Sequence, residues 1–205
     1  MKNAGTFKTV ISPCNAIFKE KGSRFLAYVY PVSNEQEIRE IIAKIKKEHH
    51  SARHHCYAWR LGAEMENFRL NDDGEPSGTA GKPIFGQIQS QELTNILIVI
   101  VRYFGGILLG TSGLINAYKL AAKDALDQAV IAERVVEDLI EVKFDYSAMN
   151  DFMHVIKELQ LEQVQSDFDL NCSATIAVRK SLSETVLNKL KNIDKLSATI
   201  IGNKI

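Results

Sequence analysis

An unbroken apolar run near the middle of the sequence restricts the fold of this chain more than any other feature. The run extends from Ile96 to Val101 and is bounded by Asn95 and Arg102. Consecutive aliphatic residues without polar alternation are typical of a strand that is buried on both faces. The run is far too short to span a bilayer. The sequence therefore predicts a central strand inside a folded domain.

A glycine-rich segment follows this strand and leads into a predicted helix at about 114–129. Backbone amides at a helix N-terminus have no partners within the helix and carry about half a positive charge, so they suit a phosphate or a carboxylate. Thr111 and Ser112 can add hydroxyl donors, and Arg102 a fixed cation. The segment has neither the Walker A nor the GxGxxG pattern. The residues expected to bind nucleic acid or another anion are Arg102, Gly105, Gly106, Gly110, Thr111, Ser112 and Gly113.

The same glycines have a purely structural explanation. They allow a tight passage from strand to helix, with Thr111 or Ser112 as an ordinary N-cap. Glycine clusters serve both purposes, so the sequence leaves the two explanations open.

An acidic loop at 71–83 is dense in Asp, Gly, Pro, Ser and Thr. Its carboxylates, Asp72, Asp73 and Glu75, can hold Mg²⁺ or Ca²⁺, or they can fold back on backbone amides as turns and caps. The loop lacks the length and the ligand spacing of an EF-hand, so we predict a functional surface and no metal site or cofactor. The residues expected to line a cleft with the glycine-rich segment are Asp72, Asp73, Glu75, Ser77, Thr79, His54 and Cys56.

The tripeptide His54-His55-Cys56 lies in a predicted strand at 54–61. His54 and Cys56 then share one face of the strand, and His55 points to the other. Two ligands on one face are too few for a structural zinc site. A catalytic pair of Cys56 and His54 would need a third, orienting group, which the sequence does not show. We therefore expect a buried Cys56 and a partly buried His54.

Cationic and aromatic residues are interleaved around the same strands. This combination can hold nucleic acid by charge and by stacking. Aromatic residues in strands are also common in protein cores, so both explanations stay open. The residues concerned are Arg53, Tyr57, Trp59, Arg60, Arg102 and Tyr103.

Four segments together resemble the IMPACT/YigZ family. The segments are Ala52–Arg60, Asn71–Pro83, Asn95–Arg102 and Arg102–Leu114. Two stretches within them, DDGEPSGTAGKP and VRYFGG, are long and unusual. The motifs cover roughly residues 15–130. Ser112 stands where the family commonly has Gly, and Asn71 where it commonly has Ser.

The resemblance implies an N-terminal domain with the fold shared by a small-subunit ribosomal protein, domain IV of elongation factor G and the GHMP kinases. It also implies a C-terminal domain similar to the last domain of elongation factor G. Eukaryotic members of the family regulate translation during amino-acid starvation by binding proteins. Nucleic-acid or ribosome association is proposed for the bacterial members.

Residues from about 133 on show the order strand, helix, strand, strand, helix, strand, which predicts a ferredoxin-like βαββαβ domain. Ser147 is predicted to cap the first of these helices, and Ser181 with Glu184 forms a capping-box pattern before the second. A hairpin is predicted across Asn171. We therefore predict an α+β chain with two domains, 1–132 and 133–205.

Charge and composition place few limits on the partner. Residues 1–130 hold 16 basic and 13 acidic residues, whereas residues 131–205 hold 9 and 12. This bias is far from the strongly basic character of a dedicated nucleic-acid binder. Three scattered cysteines and the lack of a secretory or membrane segment favour a cytoplasmic protein.

The leading hypothesis is a non-enzymatic regulator linked to translation. It would bind nucleic acid, the ribosome or a translation-related protein through the glycine-rich cleft. The alternative is an enzyme that acts on a phosphorylated or carboxylated small molecule, with Asp72 or Asp73 as base or metal ligand. A third hypothesis is protein–protein scaffolding through the sheet of the C-terminal domain. No membrane partner is expected.

Overall fold

The chain folds into an α+β protein. The computed structural model describes residues 5–168 and 172–204. Two compact units can be distinguished: one is Phe7–Arg134, and the other consists of the residues from Val135 on with Gly5 and Thr6. Within the described ranges, no helix is both long and apolar enough to cross a membrane.

The first unit lies entirely within the described residues and contains seven strands and three helices. Its elements are β1 (Thr6–Val10), β2 (Cys14–Glu20), β3 (Ser23–Pro31), α1 (Glu35–Glu48), β4 (His54–Leu61), β5 (Asn67–Asn71), α2 (Gly81–Ser90), β6 (Ile96–Tyr103), α3 (Gly110–Leu126) and β7 (Ile131–Val135). Five of the strands form an antiparallel sheet in the order β2-β3-β6-β4-β5. A separate two-stranded sheet pairs β1 with β7.

Strand β6 lies at the centre of the five-stranded sheet and is covered on both faces. Alternate residues from Ile96 to Ile100 pack in a core cluster with residues of α2 and α3. Alternate residues from Leu97 to Val101 pack in a second cluster with residues of α1. All of these side chains are fully buried. The prediction of a strand buried on both faces is confirmed.

The second unit is a four-stranded antiparallel sheet with two helices. Its elements are β8 (Glu137–Phe144), α4 (Met149–Glu158), β9 (Glu162–Asp167), β10 (Cys172–Arg179), α5 (Ser183–Lys191) and β11 (Leu196–Lys204). The strand order is β11-β8-β10-β9, and the helices and the sheet share one hydrophobic core. This arrangement confirms the predicted ferredoxin-like fold. The predicted turn at Asn171 lies outside the described residues.

Helix α3 begins earlier than the sequence predicts. The helix expected at 114–129 extends from Gly110 to Leu126. Leu109 and Leu114, on either side of the Gly-Thr-Ser-Gly segment, are both buried in the core of the first unit. This packing holds the segment in the first helical turn although its residues have low helix propensity.

Two caps predicted for the second unit are wrong. Ser147 lies within a short 3₁₀ turn, where the Asp145 carboxylate accepts hydrogen bonds from its amide and its hydroxyl, both at 3.0 Å. Ser181 likewise lies within a 3₁₀ turn, and Leu182 occupies the N-cap position of α5. In both places the polar residue belongs to a 3₁₀ turn that precedes the helix it was expected to cap.

Candidate functional site

A cleft of about 450 Å³ lies in the first unit, where β6 leads into α3. Three segments that carry predicted site residues form its wall: β4, the acidic loop and the start of α3. The predicted site residues that line it are His54, Glu75, Arg102, Gly110 and Thr111. The cleft is therefore the candidate functional site.

The N-terminus of α3 opens into this cleft with its first amides free. In the part of the chain that the structure describes, the amides of Gly110, Thr111 and Ser112 donate to no protein acceptor. Leu109 occupies the N-cap position and offers no side-chain acceptor, and the first turn holds no acidic residue. Such amides are satisfied only by water or by a ligand.

Neither Thr111 nor Ser112 is the N-cap, so the cap in the structural explanation of the glycine cluster is wrong, whereas its other part, a tight passage from strand to helix, is not contradicted. Both side chains are exposed in the first turn of the helix. Gly110 has φ +68°, a left-handed conformation that strains any other residue. The glycine at this position thus sets the direction in which the helix starts.

Gly105 has a second structural role. A Cβ built on it would lie 1.9 Å from the carbonyl carbon of Gly22 and 2.1 Å from the amide nitrogen of Ser23. The Gly105 amide donates to Ser23 Oγ at 3.2 Å. The turn between β2 and β3 is thus in backbone contact with the loop that precedes α3. The Gly105 amide already has an acceptor within the protein, unlike the first amides of α3.

Arg102 is held by a buried ion pair. Its Nη1 donates to Glu75 Oε1 at 2.7 Å, and the two side chains are only 7% and 3% exposed. Tyr118 donates its hydroxyl to the same Oε1 at 2.8 Å. Burial, with the neighbouring Cys56, raises the pKa of Tyr118 far above its ordinary value, so its hydroxyl stays protonated. Arg102 Nε is buried and has no acceptor among the described residues.

Asp72 closes the N-terminus of α2. Its Oδ1 accepts from the amides of Ala80 at 2.9 Å and Gly81 at 2.8 Å, and its Oδ2 accepts from Gly78 at 2.8 Å. Of the two arrangements considered for the acidic loop, folding back on backbone amides is the one found for this carboxylate. Among the described residues, no three or more His, Cys, Asp or Glu side chains are grouped to hold a metal ion.

Asp73 links the acidic loop to β4 and α1. Its Oδ2 accepts from the His55 amide at 2.7 Å, and its Oδ1 accepts from Lys46 Nζ at 3.0 Å. The backbone carbonyl of Asp73 lies 3.0 Å from His54 Nδ1. A carbonyl can only accept, so His54 Nδ1 carries the proton. This carbonyl is the orienting group for His54 that the sequence could not show.

Cys56 lies in the core and not in the wall of the cleft. Its side chain is fully buried, and Sγ lies 3.0 Å from the Asp72 carbonyl and 3.3 Å from Tyr118 Oη. Burial raises the pKa of Cys56 to about 12, because the thiolate loses its hydration. The expectation of a buried Cys56 and a partly buried His54 is confirmed. A neutral thiol is a poor nucleophile.

The remaining predicted residues lie beside the cleft. Thr79 is buried and donates its hydroxyl to the Pro76 carbonyl at 2.6 Å, whereas Ser77 is exposed on the acidic loop. Part of the wall was not predicted from the sequence. The lining residues absent from the predicted set are Arg53, Pro76, Phe104, Leu108, Leu109 and Leu114. Apolar side chains inside a glycine-rich loop are the signal that would have found most of them.

Comparisons with known proteins agree with this architecture. The family model of the Impact N-terminal domain matches residues 21–126. An IMPACT family member of Haemophilus influenzae is 35% identical over 178 residues, which cover 85% of this chain and 86% of that protein. The IMPACT family member YigZ of Escherichia coli is 32% identical over 159 residues, 77% of this chain and 78% of that protein.

A solved structure extends the similarity to nearly the whole chain. A crystal structure of a hypothetical protein has a TM-score of 0.74 at 27% identity, covering 96% of this chain and 98% of that one. The family model, the identity to full-length relatives and this fold similarity agree with the motifs that the sequence carries. This chain belongs to the IMPACT family.

Proposed function

We propose that this chain is a non-enzymatic regulator linked to translation, and that its cleft binds RNA, free or within the ribosome, or a translation-related protein. The link to translation rests on the role that the family resemblance implies. The single observation that carries the binding proposal is the set of free amides at the start of α3, which open into a cleft of about 450 Å³. We further propose that the protein acts in the cytoplasm.

The electrostatics of the cleft favour a phosphate. The amides of Gly110, Thr111 and Ser112 concentrate the positive end of the α3 dipole at one spot. Arg53 lies exposed on the wall and adds a cation that no described carboxylate neutralises within ion-pair distance. The charge of Arg102 is balanced by Glu75, so its contribution is to hold the wall in place.

The chemistry of the acidic loop disfavours an enzyme built on Asp72 or Asp73. The carboxylate oxygens of both residues accept hydrogen bonds from backbone amides or from Lys46. A general base needs a free oxygen that reaches the substrate. The alternative, an enzyme acting on a phosphorylated small molecule, would rely instead on His54, whose ring faces the cleft. Turnover of such a compound by the purified protein would favour that alternative.

Thr111→Glu tests the cleft without weakening the helix. A carboxylate in the first turn interacts favourably with the helix dipole, so it stabilises the helix, and it repels a bound phosphate. We expect this variant to keep its thermal stability and to bind a short fluorescent single-stranded RNA about tenfold more weakly. The parent protein should lose RNA affinity steadily between about 50 and 200 mM salt. Fluorescence anisotropy measures both effects.

Asn116→Glu is the matched control, because Asn116 is exposed on the same helix but does not line the cleft. It introduces the same charge more than one turn further along. Equal RNA affinity of the two variants, or an affinity that does not change with salt, would exclude the α3 amides as the binding site.

A further inference from the structure

Three chemically different walls meet in the cleft. Together they define the ligand more closely than the α3 amides alone do. The first wall is the start of α3, where Gly110 and Thr111 line the cleft and their amides have no acceptor among the described residues. These donors suit a phosphate group. The inference that follows rests on the proposed function, because it specifies what the same cleft binds.

Arg102 gives an independent indication that the first wall is built for a ligand. Its side chain is 7% exposed and lines the cleft, yet its Nε has no acceptor among the described residues. A buried guanidinium nitrogen without an acceptor is costly in a folded protein. Glu75 compensates the charge through Nη1 and leaves Nε without a partner among the described residues.

The second wall offers an acceptor. His54 Nδ1 donates to the Asp73 carbonyl, so in the neutral ring Nε2 is the nitrogen without a proton. A lone pair at this position repels a phosphate oxygen and accepts from a hydroxyl. A ligand that satisfies both this acceptor and the α3 amides would carry a hydroxyl group as well as a phosphate, as a ribose phosphate does.

The third wall is apolar. Phe104 and Leu108 are 56% and 83% exposed at the mouth of the cleft, and Leu109 and Leu114 are buried deeper in it. The Phe104 ring is supported from one side, because the Arg102 guanidinium carbon lies 5.8 Å from its centroid. A supported and exposed aromatic ring is a stacking surface for a nucleobase.

We propose that the cleft binds one ribonucleotide. The phosphate lies on the α3 amides, a ribose hydroxyl donates to His54 Nε2, and the base stacks on Phe104. The volume of about 450 Å³ lies within the range of small-molecule sites and is far larger than a phosphate ion requires. The ribonucleotide comes either as a free nucleoside monophosphate or as the terminal nucleotide of a single-stranded RNA.

Calorimetric titration of the full chain with adenosine monophosphate, adenosine and inorganic phosphate tests whether the three walls act together. We expect adenosine monophosphate to bind at least tenfold more tightly than either adenosine or phosphate, since each of these lacks one set of contacts. An affinity for inorganic phosphate equal to that for the nucleotide would overturn the proposal and leave a seat for small anions only.

Deoxy analogues test the role of His54 without changing the protein. We expect 2′-deoxy- or 3′-deoxyadenosine monophosphate to bind about 3- to 10-fold more weakly than the parent nucleotide. In the variant His54→Ala this difference should disappear. Persistence of the full discrimination in His54→Ala would refute the assignment of the second wall.

Phe104→Ala tests the third wall, with Ile107→Ala as its matched control. Ile107 is 56% exposed on the same loop and does not line the cleft. We expect Phe104→Ala to weaken binding of adenosine monophosphate about tenfold and to leave binding of inorganic phosphate unchanged. Equal nucleotide affinities of the two variants would contradict base stacking.

The source of the nucleotide is settled by single-stranded RNAs with and without a terminal phosphate. Preference for the phosphorylated end assigns the cleft to an RNA terminus, and binding of the mononucleotide alone assigns it to a free metabolite. If RNA binding is sensitive to Thr111→Glu and no mononucleotide binds, the proposed function stands and the ribonucleotide proposal fails. If neither RNA nor mononucleotide binds, both fail.

Discussion

The ionised carboxylate of Asp73 stabilises the structure around the site. Burial on its own would raise the pKa of its carboxyl, but the hydrogen bonds from the His55 amide and from Lys46 outweigh it and bring the pKa below its ordinary value. The ionised form is therefore favoured in the folded protein. Because its carbonyl orients His54, the same residue couples local stability to the geometry of the cleft.

The pH dependence of stability follows from this lowered pKa. A depressed pKa contributes stability at pH values above the ordinary aspartate value of about 3.9, and this contribution is lost as the pH falls through the folded-state value. We expect Asp73→Asn to lower the free energy of unfolding at pH 7 and to approach the parent protein in strong acid. Urea unfolding between neutral and acidic pH measures the difference.

Glu66→Gln serves as the comparison, since Glu66 is an exposed carboxylate in the turn between β4 and β5. It removes one negative charge without removing a buried hydrogen bond. A constant difference between Asp73→Asn and the parent protein across the whole pH range would contradict the role assigned to this ionisation.

Individual residues of the site were only partly predictable from the sequence. The buried Cys56 and the partly buried His54 followed from strand alternation and residue type. The partner of Arg102 did not, because Glu75 is separated from it by 27 positions along the chain and only the tertiary fold brings the two together. A contact between residues so far apart in the sequence produces no local periodicity, so it cannot be predicted from the sequence pattern.

Among the helices of the first unit, α2 depends on a carboxylate that lies well before it in the sequence. Its N-cap residue is Ala80, which offers no side-chain acceptor, and Asp72 accepts the amides of the first turn instead. The acidic loop is thus the cap of α2, and its conformation is fixed by that helix. Glu75 and Pro76 of this loop line the cleft, so the same hydrogen bonds hold this part of its wall in place.

Asp72→Ala should destabilise the protein more than the loss of an ordinary cap does. It leaves three amides without their acceptor, two of them on buried residues, so we expect a loss of about 2–4 kcal/mol in the free energy of unfolding. Asn34→Ala, which removes a single exposed cap from α1, should cost about 1 kcal/mol. Chemical denaturation measures both; equal losses would show that the acidic loop does not cap α2.

The elements themselves were largely predictable, and the errors lie at their ends. Strand β6 and the order of elements in the second unit follow from hydrophobic patterns that tertiary packing reinforces. The start of α3 was missed because its Gly-Thr-Ser-Gly sequence favours a loop, and only the burial of Leu109 and Leu114 makes it helical. The pairing of β1 with β7 joins short segments far apart in the sequence, which leaves no local pattern to detect.

At the scale of the whole molecule, each compact unit has a hydrophobic core of its own. All residues assigned to the cleft lie in the first unit. The third hypothesis from the sequence, scaffolding through the sheet of the second unit, stays a prediction and requires a separate partner.

A fragment of residues 5–135 should retain the binding properties of the cleft. It keeps both strands of the β1–β7 pair and the whole five-stranded sheet. We expect it to unfold cooperatively and to bind single-stranded RNA within about threefold of the full chain, with the same sensitivity to Thr111→Glu. A folded fragment without RNA affinity would assign binding to the second unit, or to both units together.

The contact between the backbones of Gly22 and Gly105 limits how this surface can change. No methyl group fits between these two backbone segments, so neither glycine can be replaced without moving the loop that precedes α3. Changes of specificity are therefore expected from the exposed cleft side chains Phe104 and Leu108. A library that randomises these two positions and spares both glycines is a starting point for redirecting the cleft to another ligand.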